Sequence, residues 1–347
     1  MADGFECSKA DPCLFSKCVD NEWVYLVLYV DDLIVACVDT ELIDKLEFSL
    51  KKSFQVSDLG DLSYYLGLQF ERNKDGMFLM HQHTYIQKII KAFGCEDAKP
   101  SKIPLDPGYQ KRREVHEPLK DNVKYRSAIG ALLYVSVNSR PDIAIATSIL
   151  SRKVNNPTEA DWNEVKRILR YLKYTEHTKL LLGDTWNFKS ADLVGYADAD
   201  WAGNEEDRKS NSGFVFKFFG APISWKSRKQ QCVSLSSTEA EYVALSEACQ
   251  EGMWLKTLVR DLHENCSSQL VLFEDNQSCL KLVKSERIGG RSKHIDTKFH
   301  FIRDLFTKGE IVLEYCPSDR MVADILTKPL EAVKTRQFVD QLGLVNV

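Results

Sequence analysis

The chain has 347 residues, of which 44% are hydrophobic and 28% charged, and its net charge at pH 7 is −4. The length predicts two or three domains of a soluble globular protein, and no apolar run reaches the ~20 residues that a membrane span requires. The polar segment Met1–Glu6 gives no sign of a signal peptide, and the ten scattered cysteines indicate reduced thiols rather than disulfides or a zinc site.

Residues 1–98 predict strands, one β-hairpin and two helices. Two segments rich in β-branched and aromatic residues flank Asp31 and Asp32, which places this acidic pair at the turn of a hairpin. The hairpin strands are predicted at 22–30 and 33–38, and further elements follow as a helix at 41–54, a strand at 62–72, a turn at 73–76, a strand at 77–80 and a helix at 85–93.

A segment with many prolines and charges, residues 99–126, has the composition of a linker. Helices are then predicted at 125–136, 142–153 and 157–174, the last with apolar residues at core spacing. A second boundary is predicted at 183–191.

The segment from residue 193 onwards predicts alternating strands and helices. Strands are expected at 193–197, 213–219, 222–225, 270–275 and 311–315, with a long helix at 239–262 and a closing helix near the end. The connection through the long helix is long enough for a parallel crossover, which would put Asp275 beside Asp198 at one end of the sheet.

Four acids fall at element ends or on inward faces of this segment: Asp198, Glu241, Asp275 and Asp324. Carboxylates on rigid elements can hold two divalent ions about 3.5–4 Å apart. Each acid also has a structural interpretation. Asp198 fits a turn, Asp275 an N-cap of the next helix, and Asp324 an exposed helical acid.

Glu241 has a specific alternative, because Thr238-x-x-Glu241 fits a helix capping box. Ser236-x-x-Glu239 fits the same box, and if Ser236 is the cap, Glu241 is free. It would then point inward, where a lone carboxylate is costly unless it meets a cation.

Five segments resemble the ribonuclease H domain of Pol polyproteins from copia-type LTR retrotransposons. They are Tyr196–Gly203, Ser236–Tyr242, Glu274–Asn276, Lys293–Asp296 and Ala323–Lys328. The resemblance implies a mixed α/β fold, with a five-stranded mixed sheet and helices on both of its faces. It implies that Asp198, Glu241, Asp275 and Asp324 bind two Mg²⁺ ions, with Mn²⁺ as a substitute.

The chemistry implied is hydrolysis of the RNA strand of an RNA–DNA hybrid, in which one ion activates water and the other stabilises the leaving 3′ oxygen. The implied partners are the hybrid and the remainder of a Pol polyprotein, without a membrane, and the implied location is a cytoplasmic virus-like particle. The oligomeric state is not determined. Cellular ribonucleases H carry a mobile histidine before the last acid, but Cys316–Arg320 has none, and His294 and His300 lie upstream.

The upstream half resembles the reverse transcriptase of the same polyproteins. Tyr29-Val30-Asp31-Asp32 is similar to the polymerase palm motif, and the segments Gly60–Leu68, Tyr125–Tyr134, Arg140–Ala144 and Arg170–Thr175 are similar to its primer grip, thumb and connection. A third palm acid and the fingers are expected to lie before Met1, so Asp31 and Asp32 are interpreted as a remnant polymerase metal site that does not synthesise DNA alone. The domains are predicted as a partial palm at 1–98, a mainly helical thumb and connection at 99–185, a ribonuclease H-like domain at 190–330 and a C-terminal tail at 331–347.

Basic residues near the predicted site are candidates for contacts with the nucleic-acid backbone, because hybrid cleavage has to be tolerant of sequence. They are Arg208, Lys209, Lys226, Arg228, Lys229, Arg291 and Lys293. Solvated surface charge is the alternative interpretation of each.

Two other functions compete with hybrid hydrolysis. The first is a domesticated or decaying relic that binds nucleic acid without turnover, which a cleavage assay would separate from an enzyme. The second is a transposase or integrase, which needs its glutamate last, whereas here Glu241 comes second and Asp324 closes the set.

Overall fold

The computed structural model describes residues 4–111, 117–183, 193–262, 269–285 and 296–347. The strands are β1 Glu6–Cys7, β2 Leu14–Val19, β3 Glu22–Tyr29, β4 Asp32–Ala36, β5 Tyr64–Tyr65, β6 Leu68–Arg72, β7 Phe78–His81, β8 Thr178–Leu182, β9 Leu193–Asp200, β10 Asn211–Phe218, β11 Ala221–Lys229, β12 Leu270–Glu274, β13 Ile311–Tyr315 and β14 Leu344–Asn346. The α-helices are α1 Thr40–Ser53, α2 His83–Ala92, α3 Val123–Asn138, α4 Ala144–Ser151, α5 Glu159–Tyr174, α6 Ser237–Leu262, α7 Gln277–Lys284, α8 Asp296–Thr307 and α9 Ala332–Gln341. Short 3-10 turns cover Tyr109–Lys111, Pro141–Ile143 and Val322–Leu326.

The first sheet is antiparallel, in the order β1-β2-β3-β4. Its β3–β4 pair is the predicted hairpin, and Tyr29 faces Asp32 across a two-residue turn in which Val30 has a φ of 55°. The sheet docks on the end of α6, where Asp261 Oδ2 accepts hydrogen bonds from Ser8 Oγ at 2.6 Å and Lys9 N at 2.7 Å. Tyr25 of β3 adds a contact from the hairpin itself, because its hydroxyl donates to the Leu262 carbonyl oxygen at 2.5 Å, at the C-terminal end of the helix that carries Glu241.

Helices α2 to α5 share one apolar core. A buried ion pair lies at its edge, where Arg140 binds Asp142 Oδ2 at 2.7 Å. The segment from residue 99 to 111 packs on α5, with Leu105 buried and the Tyr109 hydroxyl donating to Asp161. This part of the predicted linker therefore belongs to the core. Its many prolines and charges led to the prediction of a linker, although Leu105 and Tyr109 are buried.

The second sheet joins distant parts of the chain in the order β14-β8-β7-β6-β5. Strand β8 was not predicted, because its five residues lie between a helix and the expected boundary. The prediction of one strand over 62–72 is wrong, since Leu66 and Gly67 have φ values of 49° and 83° and break it into β5 and β6. The predicted C-terminal tail forms α9 and β14, and β14 pairs with β8.

The third sheet confirms the predicted mixed five-stranded architecture, with the order β11-β10-β9-β12-β13. Strands β9, β10 and β11 are antiparallel, whereas β9, β12 and β13 run parallel. Helix α6 covers one face of the sheet, on which the β10 side chains Phe214 and Phe216 lie. Val215, between them in the strand, lies on the opposite face and packs with Val322 and Leu326. Both faces of the sheet are thus covered, as expected.

Among the described helices, none combines the length and apolar character needed to cross a lipid bilayer. The predicted domain limits stay predictions.

Candidate metal centre

Asp198 lies near the end of β9 and is almost fully buried, with 2% of its surface exposed. Its partner across the sheet is Gly213 of β10, and a Cβ atom at that glycine would come within 2.7 Å of Thr327 and 2.8 Å of Leu326. The bare glycine therefore lets the segment after β13 approach the sheet closely. In this position the Thr327 hydroxyl donates a hydrogen bond to Asp198 Oδ2.

Glu241 lies near the N-terminal end of α6, just past its first turn, and does not serve as its cap. Ser236 Oγ accepts a hydrogen bond from Glu239 N at 3.2 Å, and the Glu239 carboxylate accepts from Leu235 N. Of the two alternatives that the sequence left open, the structure has Ser236 as the capping residue. Glu241 is buried, and its Oε2 atom has no hydrogen-bond partner.

Asp275 directly follows β12, which runs parallel to β9 with Phe273 opposite Tyr196. Continuing that register by two residues puts Asp275 opposite Asp198, as the sequence predicted. The N-cap of α7 is Asn276, so Asp275 is not used as a cap. Its Oδ2 atom accepts a hydrogen bond from Ser318 Oγ at 2.6 Å.

One oxygen from each of Asp198, Glu241 and Asp275 lies within 4.8 Å of the other two. Hard cations such as Mg²⁺ and Mn²⁺ prefer oxygen ligands of this kind. The unpartnered Glu241 Oε2 atom is buried, and such an atom is costly unless a cation or donor meets it. The donor set therefore fits a divalent metal ion.

Asp324 lies next to this group but outside it. It is on the 3-10 turn Val322–Leu326 and is 1% exposed, so the interpretation as an exposed helical acid is wrong. Lys334 Nζ donates to its Oδ2 at 2.6 Å, and Lys328 Nζ lies 2.8 Å from its Oδ1. Two lysine ammonium groups, rather than the other acids, contact this carboxylate.

The electrostatics of the site are those of crowded, buried acids. Burial is the largest cause that raises the pKa of Asp198 to about 7; Lys328 counteracts this rise, and Asp324 adds to it. Burial and the negative charge of Asp198 raise the pKa of Glu241 well above its usual range. Burial disfavours the ammonium of Lys328, but Asp198 and Asp324 outweigh it, so its pKa is raised. A bound cation would reduce the repulsion between the carboxylates of Asp198 and Glu241.

Glu274 is a functional candidate that the sequence reasoning passed over. It is fully buried, its Oε1 atom accepts from Asn276 N at 3.1 Å, and its Oε2 atom has no partner. Burial and the charges of Asp198 and Asp275 raise its pKa well above the usual range. The alternation of β12, in which Leu270, Leu272 and Glu274 are buried, was the available signal.

Asp31 and Asp32 are exposed at the tip of the β3–β4 hairpin. Across the described ranges, neither belongs to a group of three side chains placed to hold a metal ion. The expectation that this hairpin does not synthesise DNA alone stays a prediction.

The basic residues predicted to contact the nucleic-acid backbone differ in exposure and in their neighbours. Lys226 and Arg228 are exposed on β11, and their charges face Glu247 of α6. Arg208 is exposed and Lys209 half-buried in the loop after β9, and Lys229 makes an ion pair with Asp207 at 2.7 Å. Arg291, Lys293 and His294 lie outside the described residues. His300 is exposed on α8 and lies 3.5 Å from Asp296.

Comparison with known proteins identifies the family. A family model described as reverse transcriptase (RNA-dependent DNA polymerase) matches residues 1–107. The Pol polyprotein of transposon TNT 1-94 from Nicotiana tabacum is 38% identical over 96% of this chain, and that of transposon RE2 from Arabidopsis thaliana is 33% identical over 99%. The chain belongs to the Pol polyprotein family of copia-type retrotransposons.

This Pol chain spans 26% and 23% of the length of those two relatives. Among solved structures, LC11-RNase H1 in complex with an RNA/DNA hybrid is similar at 15% identity, with a TM-score of 0.30, over 39% of this chain and 94% of that one. The reverse-transcriptase match of the Pol chain includes the β3–β4 hairpin, whereas the three gathered acids lie downstream of it.

Proposed function

We propose that this Pol chain hydrolyses the RNA strand of RNA–DNA hybrids with the help of two divalent metal ions. The observation that carries the proposal is the convergence of Asp198, Glu241 and Asp275 from two strand ends and one helix into a group within 4.8 Å. The relatives are Pol polyproteins of transposons, and we extend to this chain the nucleic-acid chemistry that their family implies.

Each acid has a task that follows from its position. Asp198 is held in place by the hydrogen bond from Thr327, and its strand β9 runs parallel to β12, which Asp275 directly follows. Glu241 offers a buried oxygen, Oε2, that has no hydrogen-bond partner and is therefore available to a metal ion. The rigid sheet and the N-terminal part of α6 fix these oxygens before substrate arrives.

The metal ions would supply activation of water and stabilisation of the leaving 3′ oxygen. The protein excludes water from one side of the group, since Asp198 and Glu241 are buried. Asp275 is half-buried and Ser318 next to it is exposed, so the group opens towards solvent on the side of Asp275. The scissile phosphate is therefore proposed to approach from the side of Asp275 and Ser318.

The test is cleavage of an end-labelled RNA–DNA hybrid by the purified chain with Mg²⁺, compared with the variant Asp198→Asn. Removing a residue that stabilises charge in the transition state typically costs about 100-fold or more in rate. The matched control is Asp304→Asn, whose carboxylate is exposed on α8 and pairs with Lys308.

Metal-dependent cleavage of the hybrid, lost in Asp198→Asn and kept in Asp304→Asn, is the expected result. Equal activity of wild type and Asp198→Asn would show that another site, or a contaminating nuclease, performs the reaction. Binding of the hybrid without any cleavage would leave the role of a nucleic-acid-binding protein without turnover.

A further inference from the structure

Asp324 is a nearly fully buried carboxylate that pairs with the ammonium groups of two lysines from different parts of the chain. Lys328 follows it by one helical turn, and Lys334 lies on α9. The carboxylate is 1% exposed, whereas both lysine side chains are 37% exposed. The lysines can therefore move into solvent, while the acid cannot.

The two ammonium groups contact different oxygens of the carboxylate. Lys334 makes a hydrogen bond of 2.6 Å to Oδ2. Lys328 forms an ion pair with Oδ1 at 2.8 Å, and its charge also acts on Asp198. The two oxygens of Asp324 are thus each paired with a different ammonium group.

The position of Lys334 depends on the C-terminal segment. Its helix is anchored by Phe338, which is fully buried, and it leads into β14, which pairs with β8 of the second sheet. The ammonium group of Lys334 also lies 5.3 Å from the centre of the Phe338 ring. Packing of α9 and β14 thus fixes one of the two cations on Asp324.

We propose that Lys328 and Lys334 are resident counter-ions that compete with a divalent metal ion for Asp324. A carboxylate that is already neutralised by two ammonium groups gains less from a metal ion, because the metal has to displace at least one of them. The gathered acids Asp198, Glu241 and Asp275 are then the first to bind a metal ion, and Asp324 joins only when the lysines give way. This inference rests on the proposed function, since it concerns the same metal centre.

The test is direct binding of Mn²⁺ to the full chain without nucleic acid, followed by the electron paramagnetic resonance signal of the free ion. The variants are Lys334→Met and Lys328→Met, which keep most of the unbranched side chain and remove its charge. Their matched control is Lys308→Met, which breaks an exposed ion pair on α8. Lys328→Arg keeps the charge and serves as the conservative variant.

Each methionine variant is expected to lower the dissociation constant of the more weakly bound Mn²⁺ ion about threefold to tenfold. This size follows from the modest net strength of partly exposed ion pairs. Lys308→Met and Lys328→Arg are expected to stay within about twofold of wild type. Circular dichroism of each variant verifies that it is folded.

Unchanged or weaker Mn²⁺ binding in both folded methionine variants would overturn the inference, and so would absence of Mn²⁺ binding in all proteins. The outcome is separable from that of the proposed function. Tighter binding without hybrid cleavage would contradict the function alone, whereas cleavage with unchanged binding constants would contradict the counter-ion role alone.

Discussion

Replacing Asp198 by asparagine is expected to stabilise the metal-free protein while it abolishes cleavage. Burial is the main cause that raises the pKa of this carboxyl to about 7, from an ordinary value of 3.8. A shift of about 3 pKa units corresponds to about 4 kcal/mol by which ionisation opposes folding. Because water and neighbouring side chains relax around a buried charge, we expect Asp198→Asn to recover about half of this, roughly 2 kcal/mol at pH 8.

The sign of the pH dependence follows from the raised pKa. The stability that protonated Asp198 contributes is fully present below about pH 3.8 and is lost as the pH rises through about 7. The asparagine variant does not titrate at this position. The difference in unfolding free energy between variant and wild type is therefore expected to grow between about pH 4 and pH 7 and to be constant above about pH 8.

The assay is urea unfolding in EDTA, followed by circular dichroism at several pH values. Asp304→Asn, an exposed acid on α8, is the control and is expected to change stability by less than about 1 kcal/mol. A variant at Asp198 that is equally or less stable than wild type at pH 8 would refute the reasoning that the carboxyl is an electrostatic burden without metal.

Three further outcomes are expected. Mg²⁺ at about a hundredfold above its dissociation constant should raise the unfolding free energy of wild type by about 2.7 kcal/mol and that of Asp198→Asn by less than half as much, measured by thermal unfolding. Gly213→Ala should cost about 1–3 kcal/mol and reduce cleavage, because its Cβ would displace the turn that carries Asp324. Gly130→Ala, an exposed helical position whose Cβ meets no atom within 4 Å, should leave cleavage unchanged and should stabilise the protein by up to about 1 kcal/mol in the same assays. Arg140→Met should cost about 3–5 kcal/mol in urea unfolding because it leaves Asp142 buried without its cation, and a loss below about 1 kcal/mol would contradict this account.

Local sequence patterns predicted the elements of the last sheet well, because strand alternation and helical spacing are local properties. They failed at Leu66 and Gly67, where positive φ angles interrupt a segment of strand-forming residues. They also failed at β8, a short strand whose partners β7 and β14 lie far away in the sequence. Strand pairing over such distances depends on packing that no local window contains.

The sequence also predicted some features of the candidate site and left others open. The sequence placed Asp198 and Asp275 side by side, because a parallel crossover aligns the ends of two strands. It left open which residue caps α6, and the structure shows Ser236 in that role. It also passed over Glu274, although the alternation of β12 points this side chain inward.

The sequence by itself therefore determined the family, the mixed sheet and the candidate acids, since motifs and periodicity are written along the chain. Only the tertiary structure decided which oxygens meet and which are neutralised by lysines. Lys334 is an example: its contact with Asp324 depends on α9, whose position is fixed in part by the pairing of the following strand β14 with β8. The state of a buried carboxylate depends on the charges that surround it in space, and these come from residues that folding alone brings together.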